Sequence, residues 1–155
     1  MLKAQVLSYD FLLATFVFSI VLVIVFSYWN YGVKQIEETK ISHDMVNKLF
    51  IASQVWFRSG TPIYWSVDNL IELGLENEGR INQTKLNYLQ ELGYQKVISL
   101  LPVTPYNLYY RVCDENNSTL FEFGNYPTYA KNILRVVRFS ILNQTPVVIE
   151  VLVWV

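Results

Sequence analysis

Cysteine and histidine occur once each, as Cys113 and His43, and this shortage removes most catalytic and metal chemistry at the outset. Cys113 has no second cysteine for an internal disulfide, so packing must hold the fold, and a lone thiol of this kind reads as buried and inert. A single histidine excludes a His-rich zinc site, and a Cys–His nucleophile pair would require His43 and Cys113 to meet. His43 reads instead as a surface residue on the polar side of a helix. No glycine-rich phosphate loop and no nucleophile elbow is present. Charge is scarce as well. Only 16% of the residues are Asp, Glu, Lys or Arg, well below the quarter or so typical of globular domains. The net charge of -1 comes from 12 basic and 13 acidic side chains, without the clustered basic surface that nucleic-acid binding needs. No catalytic residue, cofactor, metal or nucleic-acid partner is expected.

Apolar residues, in contrast, make up 52% of the 155-residue chain, too many for a disordered polymer and enough to require a segment that prefers lipid. That segment runs from Phe11 to Tyr31, roughly 21 residues without a charge, long enough at the helical rise to cross a bilayer core of about 30 Å. In lipid a lone span must satisfy its own backbone, so this segment is predicted helical despite its many Val and Ile residues. Tyr28, Trp29 and Tyr31 at its far end suit the membrane interface. Lys3 and the terminal amine lie before the span, whereas Lys34 and Lys40 after it are partly offset by Glu37 and Glu38. This weakly favours a cytoplasmic N-terminus and an extracellular C-terminal domain. Sequons at Asn82, Asn116, Asn117 and Asn143 are glycosylation candidates that fit the same orientation. A cleaved secretory signal fits poorly, because the apolar run is long and ends in bulky aromatics where a small-x-small site belongs.

Before the span stand Lys3, Ala4, Gln5 and Val6, then Leu7, Ser8, Tyr9 and Asp10. This start resembles the class III signal peptide of archaeal type IV pilin-like proteins, with a short basic leader, a small residue before the cut and a polar beginning to a retained apolar helix. The resemblance implies a leader of residues 1–4 removed by a prepilin peptidase between Ala4 and Gln5, and a retained hydrophobic helix over 5–31. It also implies an assembly role for Asp10, since such pilins carry an acid near the helix start that pairs with a neighbouring subunit's terminal amine. The sequence departs from the pattern in using Asp for Glu and in placing it sixth after the cut, where fifth is usual. A cut after Gln5 restores the spacing but puts Gln in the small-residue position. The bland alternative for Asp10 is a capping carboxylate at the interface. The partners implied are membrane lipid, copies of the same chain or other pilin-like subunits, and the peptidase.

That likeness is specific over about the first 30 residues. Farther on, Gly60-Thr61-Pro62 with Tyr64-Trp65, then Asn69-Leu70, Gly74-Leu75, Ile81-Asn82 and Lys85-Leu86, resembles uncharacterised archaeal membrane-anchored proteins with similar leaders, and implies no chemistry.

The domain over 32–155 is expected to be α+β. Ile41, Met45, Leu49, Ala52 and Trp56 recur at helical spacing, so the first helix should continue over 32–58 and pack on its own domain until Ser59-Gly60-Thr61-Pro62 ends it. The stretch 63–79 reads as irregular. A helix is predicted from Asn82 or Thr84 with Leu86, Leu89 and Leu92 inward and Gly93 as its stop, followed by a second short helix over 94–101. The last third shifts to period two: a hairpin around Asp114 to Ser118, then Arg135 to Leu142 and Val147 to Val155 joined at Asn143, for about four antiparallel strands. The terminal VVIEVLVWV is too short for a second span and reads as a core strand. Tyr106, Tyr109 and Tyr110 could line a sugar-binding surface, although strand aromatics mostly serve packing. The leading reading is a structural pilin-like filament subunit. The competing one is a single-span binding or accessory module that never polymerises.

Overall fold

The computed structural model describes the backbone from Leu2 and the side chains from Tyr9 onward. The side chains of Lys3, Ala4 and Gln5, on which leader processing would turn, therefore lie outside what the structure describes. The fold is α+β, with a long first helix, a second helix and a six-stranded mixed sheet. Two compact units divide it, one ending at Ser42 and one running from His43 to Val155.

Helix α1 spans Leu2–Gln54. Hydroxyl side chains within its apolar part are satisfied locally: Thr15 Oγ1 donates to Phe11 O, Ser19 Oγ to Thr15 O and Ser27 Oγ to Val23 O, each at 2.8 Å. Such back-bonding lets Ser and Thr sit on an apolar surface without an orphaned donor. From Met45 the helix turns core-forming. Met45, Leu49, Ala52 and Trp56 are buried, whereas Ile41, the first member of the expected stripe, is exposed. A 3-10 turn, Val55–Phe57, tightens the end, and Arg58 is already extended at φ -122°, ψ 145°.

Strands β1 (Glu76–Asn77) and β2 (Arg80–Ile81) form a small hairpin, and α2 follows over Gln83–Leu100. Asn82 caps α2, its Oδ1 accepting from Lys85 N at 3.2 Å, which satisfies one of the helix's free N–H groups. Gly93, at φ 74° and ψ 159°, breaks α2 into two halves, as its predicted role as a stop requires.

Strands β3 (Asn107–Cys113), β4 (Thr119–Gly124), β5 (Ile133–Leu142) and β6 (Thr145–Trp154) complete the sheet in the order β1-β2-β5-β6-β3-β4. The four long strands pair antiparallel, as expected. The sheet differs from the expectation by its two added short strands and by one parallel link, Ile81 with Leu142. Strands of two residues carry no period-two signal, so no pattern reading finds them. Asn143 and Gln144 turn the β5–β6 hairpin with both φ values positive, 50° and 68°, the geometry of a two-residue turn matched to strand twist. The terminal segment is β6, central in the sheet. Its Val147, Ile149, Val151 and Val153 alternate into the core.

Glu150 breaks the apolar run of β6 because it faces the other side. It pairs with Arg135 on β5, and Arg111 Nη1 on β3 lies 3.8 Å from its Oε2. Arg111 is held in turn by Thr119 Oγ1 at 3.0 Å and Asn117 O at 3.2 Å. One carboxylate thus ties three strands on the outer face of the sheet.

Candidate functional site

The first candidate is the apolar surface of α1. The segment Tyr9–Phe57 contains a window long and apolar enough to cross a membrane, and none of that window is buried. Large side chains such as Phe11, Phe16, Phe18 and Phe26 point into open space, as do Tyr28, Trp29 and Tyr31 near the first charges. An exposed apolar surface of this length in water is far larger than a soluble monomer carries. Chemically it can enter lipid, or pack against other apolar helices. Asp10 is exposed and lies inside α1, whose first residue is Leu2. A capping role for it is thereby corrected, since a cap sits at the helix boundary. Its carboxylate has no ion-pair partner among the described residues.

The second candidate gathers the residues of the mid-chain motif. Gly60 and Gly74 bring two backbone segments together, so that a Cβ on Gly74 would lie 2.2 Å from Gly60 N and 2.4 Å from Arg58 O. Thr61 and Glu72 bridge alongside, with Thr61 N donating to Glu72 O at 2.9 Å. Trp65 is buried beneath, its Nε1 donating to Gly74 O at 2.6 Å. Asn69 Oδ1 accepts from Ser66 N at 2.6 Å and closes the next turn.

Lys85 stands at the centre, only 2% exposed. Its Nζ donates to Ser59 O at 2.5 Å, to Glu76 O at 3.1 Å and to Asn77 Oδ1 at 2.5 Å. All three donors of the ammonium are used, and they join the end of the first helix segment, β1 and α2. Burial lowers the Lys85 pKa, with the Glu76 charge opposing. An open cleft of about 240 Å³ lies beside it, lined by Tyr64, Trp65, Asn77 and Tyr88 among others. Because the lysine's protons are spent on backbone and amide oxygens, its chemistry is that of a staple. The motif residues, which the sequence left without a role, are those that build this loop clamp.

The remaining expected sites are scattered. Asn116 and Asn117 are exposed in the β3–β4 turn, where Asp114 Oδ1 accepts from Asn116 N at 2.9 Å and Ser118 N at 2.7 Å. Asn143 is exposed at the β5–β6 turn, whereas Asn82 is half-buried as the cap of α2. His43 is exposed on α1, while Cys113 is buried on the outer side of the sheet. The residues following His43 on α1 reach the inner side, through Ala52 and Trp56 to Tyr110, so the sequence's one conceivable thiol–imidazole pair is not assembled. Tyr106, Tyr109 and Tyr110 are buried, which corrects the idea of a sugar-binding tyrosine surface. Among the described residues no cluster of His, Cys, Asp or Glu is placed to hold a metal ion.

No protein-family model, curated protein or solved structure matches the chain.

Proposed function

We propose that the chain is a pilin-like structural subunit of a cell-surface filament, held in the membrane through α1 before assembly and presenting the 43–155 domain outside the cell. The observation that carries this reading is the division of labour along α1. Its N-terminal part is apolar and uncovered, while Met45, Leu49, Ala52 and Trp56 complete a domain core that needs no help from the span. A helix of that kind has two compatible environments, bilayer and subunit bundle, because van der Waals packing between helices replaces contacts with lipid tails. Asp10, a carboxylate at the edge of the span, is costly in lipid unless it faces water or a cation, and a neighbouring subunit's terminal amine supplies that cation. The leader likeness at Lys3, Ala4 and Gln5 supports the same route, with a prepilin peptidase cutting between Ala4 and Gln5.

The Asp10 position, one residue later than the usual pattern, favours a second reading in which the chain stays a single-span accessory module in the membrane. Asp10→Ala separates the two. In the filament reading the variant remains in the membrane fraction and disappears from sheared surface filaments. A wild-type chain absent from sheared filaments overturns that reading in favour of the anchored module.

A further inference from the structure

The open cleft of about 240 Å³ beside Lys85 is lined by side chains of two kinds. Tyr64, Trp65 and Tyr88 supply aromatic surface, while Asn77, Asn82 and Thr84 supply neutral polar groups. Tyr64 is 79% exposed, so its ring stands uncovered on the cleft wall. Tyr88 is half-buried beside Trp65, with the two ring centroids 5.9 Å apart. Trp65 is itself held by its bond to Gly74 O, which gives Tyr88 a fixed aromatic backing.

The polar groups are already oriented by the loop clamp. Asn77 Oδ1 accepts from Lys85 Nζ and Asn82 Oδ1 accepts from Lys85 N, so both carboxamides have their oxygens committed to the protein. Each Nδ2 keeps its two N–H donors, and neither has an acceptor among the described residues. Neither Nδ2 is a buried orphan, so both are open to solvent. The hydroxyls of Thr84, Tyr64 and Tyr88 are uncommitted in the same way. Lys85 brings the lining its formal charge, but its three donors already point at Ser59 O, Glu76 O and Asn77 Oδ1. What the cleft offers a ligand is therefore amide donors, hydroxyls and aromatic rings.

We infer that this cleft binds one pyranose ring of a neutral glycan. An anion gains no charge partner there, because the lysine's donors are in use. A cation finds no carboxylate in the lining. A wholly apolar ligand would strip water from the amide N–H groups and leave them unpaired, which is costly. A pyranose meets both demands, since its C–H faces pack on the tyrosine rings while its ring and hydroxyl oxygens accept from Asn77 and Asn82. These are not the tyrosines of β3, which are buried. The site lies wholly within the 43–155 domain and is independent of leader cleavage and of filament formation. It gives a chain read as structural a recognition surface of its own.

Saturation-transfer NMR on the full-length chain in micelles of a sugar-free detergent tests this. A host without N-glycosylation keeps Asn82, which heads a sequon, unmodified. The probes are methyl α-mannoside, methyl β-galactoside, methyl β-glucoside and N-acetylglucosamine, with glucuronate as the charged control. At least one neutral sugar should show saturable transfer to its ring protons, with a Kd on the order of millimolar for so small a ligand, and glucuronate should bind more weakly. Tyr64→Ala removes an exposed ring, and Asn82→Ser keeps a capping oxygen for α2 while removing the amide donors. Each should weaken binding by about tenfold or more with the circular dichroism unchanged. Should one variant lose its fold, the other decides. Tyr129→Ala, at an exposed ring outside the lining, should bind as the wild type does. Absence of saturable binding by all four sugars, preference for glucuronate, or binding undiminished in a folded Tyr64→Ala or Asn82→Ser variant overturns the inference.

Discussion

Tyr110 Oη donates a 2.8 Å hydrogen bond to the backbone carbonyl of Ala52, 58 residues earlier in the chain. Both residues are fully buried. Tyr110 sits on β3 between β6 and β4, paired with Val151 and Phe123, and its ring meets Trp56 edge-on at 5.3 Å. The last turn of α1 is thus fastened to the middle of the sheet by one polar contact set inside an aromatic cluster. Near a helix end the last carbonyls lack intrahelical partners, and a tyrosine hydroxyl is well suited to reach one from an otherwise apolar core.

Tyr110→Phe keeps the ring and removes that donor, leaving the Ala52 carbonyl buried without it. The domain should lose about 1–2 kcal/mol, seen as a lower urea midpoint at unchanged slope. An unchanged midpoint would mean that the bond contributes nothing net.

Alkali should unfold the domain through its tyrosines. Burial raises the pKa of Tyr110 above its ordinary 10.0. Tyr109 and Tyr106 are also raised, first by burial and then by Glu122 and Asp44 respectively. A tyrosine that stays neutral in the folded state while the unfolded state ionises gives stability present in full below pH 10 and lost as pH rises above it. Lys85 acts in the opposite sense. Its lowered pKa means that the cost of burying its charge is relieved as pH climbs toward 10.5. Three tyrosines outweigh one lysine, so urea midpoints measured across the alkaline range should fall above about pH 10, and the fall should be shallower in Tyr110→Phe.

Lys85→Met tests the staple. The change removes all three hydrogen bonds from Nζ and strands the oxygens of Ser59, Glu76 and Asn77. A loss of about 2–4 kcal/mol is expected, with faster amide exchange in the 59–77 loop than elsewhere in the domain. Lys85→Arg should not restore it, because a planar guanidinium cannot converge three bonds on the point an ammonium occupies.

Gly74→Ala should be more damaging than its size suggests. Its Cβ would meet backbone of Arg58, Ser59 and Gly60 at 2.2–2.6 Å, and backbone cannot swing aside as a flexible side chain does. A cost of about 3 kcal/mol or more is expected. Gly79→Ala is the matched comparison: its positive φ of 76° carries strain, but a Cβ there meets nothing within 4 Å, so about 1 kcal/mol should be lost. Thermal melts of the two variants compare them directly.

Much of this fold was legible because its largest elements carry strong periodic signals. The apolar first helix, the Met45 to Trp56 stripe and the four long strands all repeat one type of residue over many positions, Gly93 is a lone glycine interrupting such a pattern, and the structure has them where the pattern places them. Two-residue strands have no period, so β1, β2 and the parallel link escaped. The loop clamp escaped for another reason. Lys85 lies on a helix where a lysine ordinarily reaches solvent, and only the meeting of Gly60 with Gly74 closes the loop over it. Glu150 likewise gave no hint that Arg135 and Arg111 flank it, since those partners come from strands whose register no local pattern fixes. The tyrosines of β3 are buried, as aromatics in strands mostly are.

The central claim is that α1 is a processed pilin-type helix with bilayer and filament as its two environments. N-terminal mass spectrometry of the chain recovered from membranes and from sheared surface filaments tests it most directly. The account predicts a mature chain beginning at Gln5 in both fractions. Uncut chain beginning at Met1, found in the membrane alone, would contradict it.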